Sequence, residues 1–516
     1  MIKNLIVIAF QAILMFSSMA AGQAASANLD ADLLKAAYGG EMAKVQKLLE
    51  AGANIDAREA SGVTVLQNAV RSGNTDLVQL LVDKGADVNA KNNNGDTALL
   101  RAADESQPDT MALLLTKGAH IEDRNSAGDT ALIRAVRRNR IEAVVLLLAR
   151  GANIEVRDNE GRTPLMWAVD NGATEMVTLL LAKGANIDDT DSNGDTALIR
   201  TAQSGKIDSV ELLLARGARI DAKGGGGDTA LMRAAGVHVL QLLLKETINK
   251  GNYIPMTFLR AARDTNTAMV NFLVAKGASV EARNNAGDTA LICAAEAGNL
   301  SAMELLLAKS ESLEVAGNYG QTALIRAAAA GNIDAMKLLL DKAANIEAKD
   351  NLGWTPMIWA ANMGQTEELT LLLNKGAAIE GTDTGQFGGT ALIWAANVGQ
   401  AEAVKMLLEK GANIEAGDRN GDTALIYAAA WGRTEVVKLL LDKGAKIDAT
   451  DGDRSSTDPN GVPYSFHRMT ALTAAAFRGQ TAVVKLLLEG GGQTLKRGTT
   501  STGHRCCGPP VRIILK

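Results

Sequence analysis

The 516-residue chain has little of what builds disulfide-held domains, catalytic centres or nucleic-acid surfaces. It has three cysteines, Cys293, Cys506 and Cys507, too few for a disulfide framework, and the adjacent Cys506 and Cys507 are poorly placed to bridge within one chain. The four histidines, His120, His238, His467 and His504, are scattered along the sequence rather than gathered for chemistry. Cys293 has no base near it in sequence and reads as a small helix-surface residue. With 7 Phe, 5 Trp and 5 Tyr, the interior must be made of Leu, Ile, Val and Ala, which points to helices in thin repeated layers instead of one thick core. A net charge of -5 does not give the basic field on which sequence-independent nucleic-acid binding depends, so no nucleic-acid partner is expected.

Motifs for bound groups are equally thin. Gly224 to Gly227 lacks the Lys-Ser/Thr of a phosphate loop and reads as a flexible spacer. Asp451-Gly452-Asp453 lacks the spacing and terminal Glu of a calcium loop, and His504, Cys506 and Cys507 are too close together to define a tetrahedral metal site. No metal, cofactor or catalytic residue is expected, and no enzymatic activity.

The apolar run Leu5 to Phe16 is interrupted only by Gln11. It follows the positive Lys3 and precedes small residues from Ser17 to Ala25, with Gly22-Gln23-Ala24 as a cleavage site. Residues 1–25 therefore read as a secretory signal peptide. The run is short for a membrane span, and no membrane association is expected unless the leader is retained as an anchor.

What the chain does have is a period. Thr97, Thr130, Thr163, Thr196 and Thr229 are 33 residues apart, as are Thr289, Thr322 and Thr355. Within one unit, Thr130 is placed to N-cap a first helix, and Pro164 and Pro356 occupy the first helical position, where no hydrogen bond is lost. Leu132, Ala135 and Val136 share one face of that helix, and Val144, Leu147 and Leu148 share one face of a second. Gly151, with Gly85, Gly118, Gly184, Gly217, Gly277, Gly376, Gly411 and Gly444, stands where the second helix must end in a left-handed residue.

These units resemble ankyrin repeats, whose T-P-L-H-x-A signature stands here as Thr163-Pro164-Leu165-Met166-Trp167-Ala168 and Thr355-Pro356-Met357-Ile358-Trp359-Ala360. The sequence departs from the family at the His, where Ile, Leu, Met, Gln or Thr stands instead. The resemblance implies an all-α solenoid of about fourteen helix-turn-helix units joined by short β-turn or hairpin loops. We expect an N-terminal array over 29–245, an irregular joint at 246–255, and a C-terminal array over 256–490. Two insertions interrupt the second array, a small one at Gly381 to Gly388 and a loop at 449–468, and a basic tail without repeats, 491–516, reads as disordered.

The informative residues occupy the variable slot of the signature. Arg101, Arg134, Arg200, Arg233, Arg260 and Arg326 fill it in some units, and Trp167, Trp359, Trp394 and Tyr427 in others. Trp354 stands just before its threonine and Trp431 ends a first helix, so all five tryptophans fall in positions that, by the resemblance, line the concave side where partners bind. Phe477 occupies an equivalent position one unit later. Trp, Tyr and Arg dominate interface energies. The alternative is structural, with the aromatics packed between repeats and the arginines paired to Asp96, Asp129, Asp195 and Asp228. We expect a monomeric, non-enzymatic scaffold of the cell envelope, exported and periplasmic, that binds a protein or extended peptide. A secreted effector acting on another cell is the alternative, and an envelope peroxide-protection factor a third.

Overall fold

A computed structural model describes residues 28–236, 267–385, 387–450, 454–457, 463–466 and 469–490. The leader, the joint, the tail, Arg260, His238, His467, His504, Cys506 and Cys507 lie outside these residues. The described residues fall into two compact units, one holding 28–234 with 267–285 and the other 235–236 with the residues from 286 onward. Each is a stack of helix pairs.

A pair is specified locally before any packing. Thr163 is extended and its hydroxyl accepts from the Met166 N–H at 3.4 Å, while Pro164 opens the helix Pro164–Asp170. Thr130, Thr196, Thr322 and Thr390 cap their helices in the same way. The second helix, such as Ile141–Ala149, ends at a capping residue followed by glycine, and Gly151 has φ 87°. The other predicted glycines at this position also have positive φ, whereas Ala343 takes the role with φ 64°.

The apolar faces then set the layers. Leu132, Ala135 and Val136 are buried as the periodicity requires. In the second helix the buried side is Ala143, Val144 and Leu147, and Leu148 is only half-buried because it stands beside that stripe. First helices pack along first helices: Ala131–Arg137 lies between Ala98–Glu105 and Pro164–Asp170. Burial of each Leu or Val contributes about 1.5–3 kcal/mol, so stability accumulates from layer to layer.

The turns between pairs form a second, polar stack. The Ser192 N–H donates to the Glu160 carbonyl of the preceding turn at 3.1 Å, and Asn351 repeats the bond to Tyr319 at 2.9 Å. The turns approach so closely that a Cβ on Gly161, which has φ 75°, would lie 2.5 Å from the Ser192 nitrogen. Gly224 to Gly227 is a turn of this kind and not a spacer: Gly227 N–H donates to Gly224, and Asn285 N–H to Gly226. The inserted loop also departs from expectation. Within it Arg454–Thr457 pairs antiparallel with Pro463–Phe466 as a two-stranded hairpin, from a sequence with Thr, Tyr and Phe flanking Asp458-Pro459-Asn460-Gly461, a run of turn formers.

Candidate interaction face

The variable slot follows the third residue of the first helix, and the side chain there leans over the turn of its own repeat. In that turn, nine residues earlier, a buried aspartate organises the backbone. The Asp350 Oδ1 accepts from Leu352 N–H at 2.9 Å and Trp354 N–H at 2.8 Å. Its Oδ2 accepts from the Trp359 indole at 2.9 Å. Asp158 does the same for Trp167 at 3.0 Å and Asp418 for the Tyr427 hydroxyl at 2.9 Å. Asp383 reaches the Trp394 indole at 3.1 Å across eleven residues, because the insertion at Gly381 to Gly388 lengthens the turn without displacing its carboxylate.

Arginines in the slot follow the same logic until the aspartate is missing. Arg200 has Asp191 nine residues earlier and pairs with it at 2.7 Å, and with Asp170 at 2.7 Å. Burial would lower the Arg200 pKa, but these two carboxylates raise it above its ordinary value. Where the turn carries Asn125, Gly224 or Gly317, the slot arginine reaches to the aspartate that precedes the threonine of the previous repeat, and Arg134 and Arg233 also pair with Asp129 at 3.4 Å and Asp228 at 2.9 Å before their own threonines. Arg134 meets Asp96 at 3.0 Å, Arg233 meets Asp195 at 3.1 Å and Arg326 meets Asp288 at 2.8 Å. Burial pushes the Asp195 carboxyl up despite Arg233. Arg101 has Asn92 in its own turn and Val63 before the previous threonine, and no acidic group among the described residues pairs with it. Cys293 is half-buried in its slot.

The aromatic residues stay partly exposed. Trp167, Trp354, Trp359, Trp394 and Tyr427 are half-buried, and Trp431 is 45% exposed. In the first unit, the Trp167 ring lies between the guanidinium of Arg137 at 4.3 Å and that of Arg162 at 3.9 Å. In the second, the Trp354 ring is 4.9 Å from Trp359 and 4.6 Å from Trp394, and Phe387 meets Trp394 edge-on at 6.0 Å. Trp394, Tyr427 and Trp431 continue into a cleft of about 360 Å³ with Phe387, Asn397, Asp422 and Arg478 on its walls. Phe477 is 85% exposed. The turn aspartates and Phe387 were not among the sequence candidates. A spacing of nine between aspartate and slot residue was the signal for the former; Phe387 lies in an insertion that the period does not index.

Comparison with known proteins gives one family. A family model describing ankyrin repeats in three copies matches residues 33–125, 122–191, 184–253, 258–350, 314–383, 346–418 and 378–451, and one describing many copies matches 427–488. Among solved structures the chain is similar to the ankyrin repeat domain of Bcl-3, described as a unique member of the IkappaB protein family. The identity is 34%, over 39% of this chain and 92% of that chain, with a TM-score of 0.37. No curated protein matches the chain.

Proposed function

From the premise that this chain belongs to the ankyrin-repeat family, whose models span residues 33 to 488, we infer that it is a protein-interaction scaffold of the cell envelope that binds its partner on the slot face. Ankyrin repeats are in general non-enzymatic interaction modules, and no catalytic family matches the chain. One observation carries the choice of face: Trp359, Trp394 and Tyr427 occupy the same helix position in successive repeats, each with its polar tip tied to a buried aspartate. A ring held in this way loses little rotamer freedom when a partner covers it, so more of its burial is retained as affinity. The slot arginines paired to aspartates contribute less, since breaking an existing ion pair offsets the new contact.

The envelope assignment is supported by the leader-like residues 1–25. No helix of the described residues is long and apolar enough to cross a membrane. The test combines Trp359→Ala, Trp394→Ala and Trp431→Ala in the mature chain. The variant should keep its helical circular dichroism and lose the partners that the parent recovers from envelope extract; undiminished recovery rejects the face. Fractionation of cells into periplasm and medium tests the location, and accumulation in the medium favours the secreted reading.

A further inference from the structure

One arginine of the slot series stands without the carboxylates that hold the others. Arg134 pairs with Asp96, Asp104 and Asp129, Arg200 with Asp170 and Asp191, Arg233 with Asp195 and Asp228, and Arg326 with Asp288 and Glu296. Arg101 is half-buried in the same position, and its Nε is buried with no hydrogen-bond partner. Among the described residues no carboxylate pairs with its guanidinium. The two carboxylates that flank it in sequence are engaged elsewhere, Asp96 by Arg134 at 3.0 Å and Asp104 by Arg138 at 2.8 Å.

A further position explains the gap. The residue seven places after a capping threonine reaches the slot of the next repeat: Asp104 meets Arg134 at 3.8 Å, Asp170 meets Arg200 at 2.7 Å and Glu296 meets Arg326 at 3.2 Å. Arg137 holds the same position and lies 4.3 Å from the centre of the Trp167 ring in the next slot. Before Arg101 this position is Arg71, seven residues after Thr64. Stacking at a fixed register therefore directs a second cation toward the place where three other repeats put an anion. Arg71 is exposed, and its guanidinium carbon lies 5.0 Å from the centre of the Tyr38 ring. A guanidinium that stacks by its face keeps the N–H groups of its edge for an acceptor.

Resting on the interaction role argued above, we propose that Arg71 and Arg101 form a site for a carboxylate, an Asp or Glu side chain of the partner, which takes the place held by Asp104, Asp170 and Glu296 in other repeats. An incoming carboxylate displaces no existing ion pair here. It also reaches donors already partly withdrawn from water, where a charge-assisted hydrogen bond is stronger. At Arg200 or Arg326 it would compete with two acidic groups. A cationic side chain would meet two guanidinium groups, and a neutral amide would leave both charges uncompensated.

The test uses the mature chain labelled with ¹⁵N in arginine and four peptides, acetyl-Gly-Ser-X-Ser-Gly-amide with X as Glu, Gln, Lys or phosphoserine. At low ionic strength the Glu peptide should saturably shift the Nε–Hε signal of Arg101 and leave that of Arg200 unmoved. It should bind about fivefold more tightly than the Gln or Lys peptide, the scale of a partly exposed ion pair. Arg71→Glu, which supplies the carboxylate from within, should shift the Arg101 signal without any peptide and weaken the Glu peptide severalfold. Should that variant not fold, Arg71→Gln should weaken the Glu peptide severalfold and leave the Gln peptide unchanged. Equal binding of Glu and Gln, an unmoved Arg101 signal, or no effect of Arg71→Gln would overturn the proposal. Phosphoserine binding that exceeds Glu by more than about tenfold would overturn the carboxylate and assign the site to a phosphorylated partner. The interaction face is tested separately: if the Trp359, Trp394 and Trp431 variant loses its envelope partners while the Glu peptide fails to bind, the face stands and only the carboxylate site falls.

Discussion

Trp354 and Trp394 meet, with ring centroids 4.6 Å apart, at the same two positions of neighbouring repeats where Asp288 and Arg326 form a 2.8 Å ion pair. One position precedes the capping threonine and the other is the slot of the next repeat. Stacking at a fixed register brings them together whatever their chemistry, so the array can place an ion pair or an aromatic pair at one geometric address.

That address has an energetic consequence. A double-mutant cycle on Trp354→Ala and Trp394→Ala should give a coupling of about 1 kcal/mol in denaturant unfolding, the scale of an aromatic pair beyond its area. Additivity would show that the rings merely adjoin.

Asp350 binds two backbone N–H groups and the Trp359 indole, and its side chain is buried. Asp350→Ala should destabilise by about 3 kcal/mol, since it leaves buried donors without acceptors. Trp359→Phe, which removes one donor and keeps the ring packed, should cost about 1 kcal/mol. Equal losses in the two variants would mean that the backbone bonds contribute nothing.

Asp158 supplies a pH test. Burial alone would raise its pKa, but the Arg162 backbone N–H and guanidinium and the Trp167 indole outweigh this and hold the carboxyl below its ordinary value of 3.8. A depressed folded pKa stabilises above the ordinary value, and that contribution is lost as pH falls from there through the folded pKa. The urea midpoint of the parent should therefore fall more steeply from pH 4 to pH 2 than that of Asp158→Asn, with the two converging at the acid end. Parallel profiles would contradict the sign.

Ala343 follows the helix Ile333–Asp341 with φ 64°, at the position where Gly151, Gly376 and Gly411 stand in other repeats. Left-handed backbone costs a Cβ-bearing residue roughly 1–2 kcal/mol. Glycine loses part of that advantage through its freer unfolded state. Ala343→Gly should raise stability by about 0.5–1 kcal/mol in chemical denaturation, whereas Gly376→Ala, at φ 92°, should lower it by a similar amount or more.

The amino-acid sequence by itself determined the repeat, the capping threonines, the helix-ending glycines and the buried stripe at Leu132, Ala135 and Val136, because each follows from contacts within a few residues or from the period of a helix. It also marked the slot residues as a series. Their partners were decided by tertiary structure. Arg200 bonds Asp191 of its own turn and Asp170 of the previous repeat, and Arg233 bonds Asp228 of its own repeat and Asp195 of the previous one, because stacking sets which carboxylates of the neighbouring repeat come within about 3 Å; Phe387 joins Trp394 only through a turn whose insertion has no counterpart in the period.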